Sequence, residues 1–288
     1  MTTLAVLSDI HGNLPALAAV LEDLRPFKVD HVVVAGDVIN WGPFSAQVME
    51  RVVQEGWAVI RGNNEYYLLD YGTPRAPAAW QDTSQFPIPR WLHQQLDGRW
   101  RTVIAAWPDT LSLRFPDAPP IRVVHGSPRS NTEPIFPAHR DEEIEQMLSG
   151  VEETVIIAAH SHLRLERRVG RWHILNAGTV GVPLDGVRVA TYMLLEGDER
   201  GWRPRWRAAP FDPGPLFQEF ARQRFVEQCG VVGQLIIEEF RTARLHLHPF
   251  VHWRLACCPA EPITPALLER YTRVNPWDYT PLAYHLNL

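Results

Sequence analysis

The chain has 288 residues, 45% hydrophobic and 21% charged, the range of an ordinary globular protein with room for one large domain or two. Its net charge of −5 argues against bulk nucleic-acid binding, which needs a basic face. No apolar run approaches a membrane span and no basic segment leads into an apolar core at the start, so a cytoplasmic protein with no membrane partner is expected.

Residues 4–7 read as a short buried strand, and 14–24 follow with helical spacing. Strand 31–35 precedes helix 44–54, and strand 57–60 precedes a helical start at 65–69, the rhythm of βαβ units and a parallel sheet. Residues 71–89, rich in Pro, Ala and Thr, read as a loop or irregular cap. Helical spacing over 91–107 predicts one helix. Strands 110–115 and 121–125 flank the turn signal Pro119-Pro120, and 138–148 is helical and acidic. From 154 onward, strands 154–159, 163–169, 172–175, 187–195 and 202–207 have short connections, as in an antiparallel or mixed second sheet. Residues 211–215 (Phe-Asp-Pro-Gly-Pro) stop any strand and open a helix. Over 216–245 the residues Phe217, Phe220, Phe225, Val232, Leu235, Ile236 and Phe240 recur at helical spacing, and the remaining tail, with Trp253, Leu267, Leu268, Trp277 and Tyr284, is too apolar to be disordered. The expected fold is α/β: a four-layer α/β/β/α sandwich of two mixed sheets over residues 1–210, with a mainly helical C-terminal extension over 211–288 that packs on it or on a second subunit. Cys229, Cys257 and Cys258 are an odd set without CxxC spacing and read as reduced thiols. Lys28 is the only lysine, so the other basic residues are all Arg, a chain-wide bias that singles out no one Arg.

Five strand ends carry the chemistry. Asp9 and His11 follow the first strand, where extended backbone would point both to one side. Gly36-Asp37 follows the second and Gly62-Asn63-Asn64-Glu65 the third. His125-Gly126-Ser127-Pro128 follows 121–124, and His160-Ser161-His162 follows 154–159. Ligands of open α/β sheets gather outside the carboxyl ends of strands. By itself Asp9 could be a helix cap and His11 a bystander. Taken with the later strand ends, the pair points to metal. The donors are nitrogen and oxygen with no thiolate, which suits Mn, Fe, Zn, Ni or Mg rather than a structural zinc.

D-x-H, G-D, G-N, H-G and H-x-H, in this order and at these separations, resemble the calcineurin-like metallophosphoesterase superfamily. Residues 36–43 (Gly-Asp-Val-Ile-Asn-Trp-Gly-Pro) are similar to the G-D-x-x-x-x-G-P form of its bacterial phosphoesterase branch, and 176–183 to that branch's N-P-G-S-V-G-x-P turn. The match spans residues 3–207. The resemblance implies two divalent ions, manganese first among them. Asp9, His11 and His162 would hold one, and Asn63, His125 and His160 the other, with Asp37 bridging. Such a pair, about 4 Å apart, clamps a phosphoryl group and generates the attacking hydroxide. The implied activity is hydrolysis of a small phosphorylated substrate, a nucleotide among the candidates.

Asn64 departs from the family, which usually reads G-N-H-[DE]. Asn cannot protonate a departing alkoxide, though it can hydrogen-bond a phosphoryl oxygen. Losing a general acid costs about 10²- to 10⁴-fold for poor leaving groups, so activated phosphodiesters or phosphoanhydrides are the expected substrates. Two alternatives stand beside this: a nucleoside polyphosphate hydrolase, and a catalytically weak scaffold that binds protein partners, which Asn64 alone favours. In the protein-phosphatase branch an Arg grips phosphate where this chain has Trp41, preceded by Asn40 in place of an acid, which argues against that activity. Trp41 could stack on a nucleobase or aryl group, and Arg129 could meet substrate phosphate, although packing and the Arg bias are the plainer accounts. His246, His248 and His252 have metal-like spacing but no acid or cysteine in register. The 216–245 stretch reads as a packing or dimerisation arm, a route to a homo-oligomer.

Overall fold

Side chains alternate in destination along the first strand, Thr2–Leu7 (β1): Leu4 and Val6 enter one core, Ala5 and Leu7 another. A strand buried on both faces needs a layer above and a layer below. The computed structural model, which describes residues 1–285, supplies both. Helix Leu14–Leu24 (α1) leads to strand His31–Val34 (β2), helix Ser45–Glu55 (α2), the short strand Ala58–Val59 (β3) and helix Asn63–Asp70 (α3). Helices Ile88–Gln95 (α4) and Gly98–Ala106 (α5) precede strands Thr110–Leu113 (β4) and Ile121–Val124 (β5), then helix Asp141–Met147 (α6). Strands Val155–Ala158 (β6), Arg164–Val169 (β7), Trp172–Ala177 (β8), Val189–Asp198 (β9) and Gly201–Pro210 (β10) follow. Helices Gly214–Arg222 (α7), Phe225–Thr242 (α8), Leu247–Cys257 (α9) and Pro265–Tyr271 (α10) come last, before 3-10 turns at Pro276–Tyr279 and Leu282–Tyr284.

The strands form two five-stranded sheets, ordered β10-β9-β1-β2-β3 and β4-β5-β6-β8-β7. In the first, β1, β2 and β3 are parallel, and β9 runs antiparallel to both β1 and β10. In the second, β5, β6 and β8 are parallel, with β4 and β7 antiparallel at the edges. Leu4, Val6, Val33, Ile121, Val123, Ile157, Leu175, Met193 and Leu195 fill the space between the sheets. On the outer face of the first sheet, Leu7 and Val34 meet Leu17 and Val20 of α1 and Val48 and Met49 of α2. On the outer face of the second, Ile156 and Ile174 meet Ile144 of α6. This is the expected four-layer α/β/β/α sandwich of mixed sheets.

Three expectations need correction. The strands after residue 154 do not all belong to one sheet: β9 and β10 return to the first, with Ala5 opposite Leu194. Alternation along β9 (Met193 and Leu195 inward, Tyr192 and Leu194 outward) fits a strand in either sheet, so the pattern could not assign it. Residues 91–107 are two helices, because Leu96 turns extended (φ −115°, ψ 116°) and Asp97 caps α5, accepting from Arg99 N at 3.0 Å. Residues 216–245 likewise divide at Arg224, which is left-handed (φ 54°), and kink at Gly230 (φ 56°). Phe220 and Phe225 lie five apart, which would face them away from each other in a straight helix; the break brings their rings to 4.8 Å in one cluster. Residues 71–89 are irregular as expected, apart from a 3-10 turn at Ala78–Gln81 and the start of α4.

The last helices share a core with the loops of the sandwich. Leu216, Phe220, Phe225 and Phe240 pack with Val182, Leu184 and Trp91, and burying each Phe contributes roughly 1.5–3 kcal/mol. Gln223 Nε2 donates to Pro43 O at 2.8 Å, and Gly186 N to Ala243 O at 2.8 Å. Residues 286–288, the end of the expected extension, lie outside the described residues. The three cysteines are free. No helix among the described residues is long and apolar enough to cross a membrane.

Candidate metal centre

Parallel β1, β2 and β3 end at the same rim as parallel β5 and β6, so the five loops that follow converge there. Their backbone is not extended. Asp9 (φ 52°), His11 (50°), Asp37 (53°), His160 (64°) and His162 (58°) are all left-handed, a conformation costing a side-chain-bearing residue about 1–2 kcal/mol. Asp9 and His11 therefore reach the same place through a turn, not through the two-residue repeat of a strand. Asp9 N donates to Gly36 O at 3.1 Å, His11 N to Asp37 O at 2.9 Å and Gly12 N to Val38 O at 3.0 Å, which locks the first loop to the second. Gly36 (φ 89°) has to be glycine: a Cβ there would stand 2.6 Å from His125 Nδ1.

The loops deliver two clusters. Asp9, His11 and His162 form one and Asp37, His125 and His160 the other, with the donor atoms of each within 4.8 Å of one another. Asp37 Oδ2 lies 3.3 Å from His125 Nε2 and 3.6 Å from His11 Nε2, so it reaches both. Asn63 Oδ1 stands 3.1 Å from His125 Nε2 and joins the second. The structure thus gathers all seven residues singled out in the sequence: Asp9, His11, Asp37, Asn63, His125, His160 and His162.

The donor set fits cations. Both carboxylate oxygens of Asp9 are buried without a hydrogen-bond partner, although His162 Nε2 is 3.3 Å from Oδ1. A buried carboxylate left that way costs several kcal/mol unless a cation compensates it. His125 Nδ1 bonds Ala35 O at 2.8 Å, and a carbonyl only accepts, so Nδ1 carries the proton. In neutral His125 the Nε2 lone pair then faces two oxygens, those of Asp37 and Asn63. His162 repeats the arrangement, with Nδ1 on Val182 O at 2.7 Å and Nε2 turned to the cluster. Fixing the tautomer through the far nitrogen is how proteins aim imidazoles at metals. Burial pushes His11 and His160 down to about 4, so both are neutral donors at neutral pH. Burial opposes charge on Asp9 and Asp37 as well, yet His162 beside Asp9 and His125 beside Asp37 hold both below the usual carboxylate range. Burial likewise works against His125, but Asp37 lifts it to about 10.

A supporting layer, given no role in the sequence reading, holds the loops. The buried Glu65 carboxylate accepts from Gly62 N at 2.6 Å, Asp37 N at 3.0 Å and Val38 N at 2.9 Å, tying the third loop to the second. Asn176 donates to Ala159 O and Ser161 Oγ, both at 3.1 Å, and Thr179 Oγ1 donates to Asp9 O at 2.9 Å. Asn13 caps α1 through Ala16 N and donates to Gly181 O at 2.7 Å. The 176–183 turn motif was the signal for two of these residues. No signal pointed to Tyr284, whose hydroxyl donates to Ser161 O at 3.1 Å from the far end of the chain.

The remaining site candidates divide. Asn64 is buried and fully engaged: its Nδ2 donates to Asp37 Oδ2 at 2.6 Å, its N to Asp37 Oδ1 at 2.9 Å, and its Oδ1 accepts from Asn40 Nδ2 at 2.6 Å. Trp41 packs against the Phe220–Phe225 cluster with its ring centroid 5.6 Å from that of His11. Arg129 is gripped by Glu133, Nε to Oε2 at 3.0 Å, which neutralises it. It lines a cleft of about 370 Å³ with Tyr66, Thr110, His125, Ser127 and Asn131. The rings of His248 and His252 meet at a tilt with centroids 3.9 Å apart, and no acid or cysteine completes a metal cluster with them or with His246 among the described residues.

Residues 2–200 match the family profile of the calcineurin-like phosphoesterase superfamily domain. The chain belongs to that superfamily. An uncharacterized protein of Methanocaldococcus jannaschii is 21% identical, the alignment covering 79% of this chain and 95% of that one. Among solved structures, a metallophosphoesterase from Sphaerobacter thermophilus superposes with a TM-score of 0.65 at 19% identity, covering 84% of this chain and 99% of the other. A hypothetical protein from Pyrococcus horikoshii superposes with a TM-score of 0.68 at 18% identity, covering 82% and 98%. These likenesses share the fold across nearly the whole of both relatives.

Proposed function

We propose that the protein is a dinuclear metal-dependent phosphoesterase acting on phosphodiesters or phosphoanhydrides, with residues 1–210 as the hydrolytic unit and 211–288 as an extension whose described part packs on it. The observation that carries this reading is Asp37 Oδ2 within reach of both histidine clusters. Two divalent ions, manganese the first candidate, would neutralise charge on the phosphoryl oxygens and acidify the attacking water. Asp9, His11 and His162 would hold one, and Asn63, His125 and His160 the other. Asn64 holds both oxygens of Asp37 in place. The substrate's leaving group would enter the cleft beside His125, with Trp41 and Arg129 as further contacts. That cleft offers a poor proton donor: burial and the bond to Asp109 push Tyr66 up to about 12. Good leaving groups, such as a phenolate or a nucleotide's phosphate, are therefore preferred. The extension already buries Phe220, Phe225, Phe240, Phe250, Trp253 and Tyr271 on its own chain, so a homo-oligomer through it would draw on exposed Leu255 and Leu282.

Metal analysis and assay of bis(p-nitrophenyl) phosphate test the reading together. About two metals per chain, with turnover that disappears in Asp37→Ala, is the expected result. Two metals with no turnover of any ester or anhydride would instead support the scaffold reading, which Asn64's engagement away from the cleft favours.

A further inference from the structure

A second cavity, outside the metal centre, lies where the C-terminal helices meet the sandwich. It measures about 370 Å³, within the range of small-molecule pockets. Leu184 contributes from the sandwich, and Arg244, Leu245, His246, Trp277 and Tyr284 from the helical end. Arg244 sets its character. Its guanidinium lies 5.8 Å from the Trp277 ring centroid, a placement that orients it. It makes no ion pair and no hydrogen bond among the described residues, although carboxylates pair with many other Arg side chains of this chain. Asp185, the acid in the wall, accepts from Val187 N at 3.1 Å instead. Gly186 (φ 82°) makes room: a Cβ there would stand 3.0 Å from Arg244 Nη2. An oriented cation without a partner among the described residues, facing leucine and aromatic walls, calls for one anionic head on an apolar body. A single cation is too little for a polyphosphate.

We infer that this cavity binds a small organic anion, a phosphonate-like or carboxylate head on an aromatic or aliphatic body, with Arg244 taking the head. The occupant would touch the metal-bearing loops through the walls. Tyr284 lines the cavity and hydrogen-bonds Ser161 O, between His160 and His162. Leu184 lies two residues beyond Val182, whose carbonyl aims His162. The cavity is thus a binding site distinct from the hydrolytic cleft, and the inference does not depend on the hydrolytic reading.

Calorimetric titration of the metal-loaded protein with phenylphosphonate tests it, since this probe has an anionic head, an aromatic body and no ester to hydrolyse. Asp37→Asn removes competing binding at the metal centre. Arg244→Gln removes the cation, and Leu245→Trp fills the cavity while leaving Arg244 in place; thermal melts confirm that each variant is folded. The expected result is binding that persists in Asp37→Asn and weakens about 10- to 100-fold in both Arg244→Gln and Leu245→Trp, the range for losing a charge-assisted contact. Absence of binding by the wild type at millimolar probe overturns the inference. So does binding that disappears in Asp37→Asn, or that survives in either cavity variant.

Discussion

Asp9 presents two buried oxygens without hydrogen-bond partners, and His125 presents a fixed tautomer, so single side chains here specify a cation more narrowly than spacing alone can. Asn64 is the residue whose reading the structure changes most. As a departure from G-N-H, the sequence places it at the leaving group. Its amide in fact spans Asn40 and Asp37, so it acts through the carboxylate that both clusters share. Asn64→Ala is therefore expected to lower kcat/KM about 10- to 100-fold, by the same factor for aryl and alkyl esters. A series of leaving groups of graded pKa checks this: the slope of log kcat/KM should match the wild type's, whereas a steeper slope would place Asn64 on the leaving group.

At the scale of elements, the site is a set of left-handed turns cross-tied by buried carboxylates. Glu65, at the start of α3, fastens the β2 and β3 loops through backbone N–H groups of both. In Glu65→Gln an amide NH₂ must face N–H donors, which is expected to cost roughly 2–3 kcal/mol in urea unfolding and to weaken metal binding as well. Glu239 on α8 plays a similar part at the entry to α9, where Oε1 accepts from His246 N at 2.8 Å and Leu247 N at 2.9 Å while Oε2 has no partner. Burial pushes its carboxyl up from 4.5 to about 7. A carboxyl with a raised folded-state value favours folding fully below its unfolded value, and that contribution is lost as pH rises through the folded value. Unfolding free energy is thus expected to fall between about pH 4.5 and 7 by this route. Glu239→Gln should flatten part of that slope in urea titrations at several pH values, Glu65 supplying the rest because burial and Asp37 raise it to about 7 as well.

At the scale of the molecule, metal binding is expected to couple to the fold, because the loops that carry the donors are also the seam between the two sheets. A ligand that binds only the folded state stabilises it by about 2.7 kcal/mol at a hundred times its Kd. Manganese at that excess is therefore expected to raise Tm by roughly 5–10 °C, and EDTA to reverse the rise. Asp9→Asn removes the charge that His162 holds ionised, so it should melt lower than wild type in EDTA and also gain less from manganese. Differential scanning calorimetry of the two proteins with and without metal checks both signs.

The four-layer sandwich was legible because βαβ rhythm and apolar runs report local geometry, which depends only on neighbours in the chain. The seven donors were legible because each closes a strand, and strand ends in such sheets face one rim. Several features lay beyond local pattern. The return of β9 and β10 to the first sheet, the breaks at Asp97 and Arg224, and the left-handed turns at Asp9 and His11 depend on what packs opposite them. The same holds for Asn64's hold on Asp37 and for Tyr284 against Ser161, contacts that join residues 27 and 123 positions apart, and for the placement of Arg244 beside Trp277. The sequence by itself determined the fold class and which atoms could bind metal. The family resemblance carried by its motifs already grouped those atoms into two sites; the tertiary structure alone decided what holds them there, because distance through space is set by packing rather than by order along the chain.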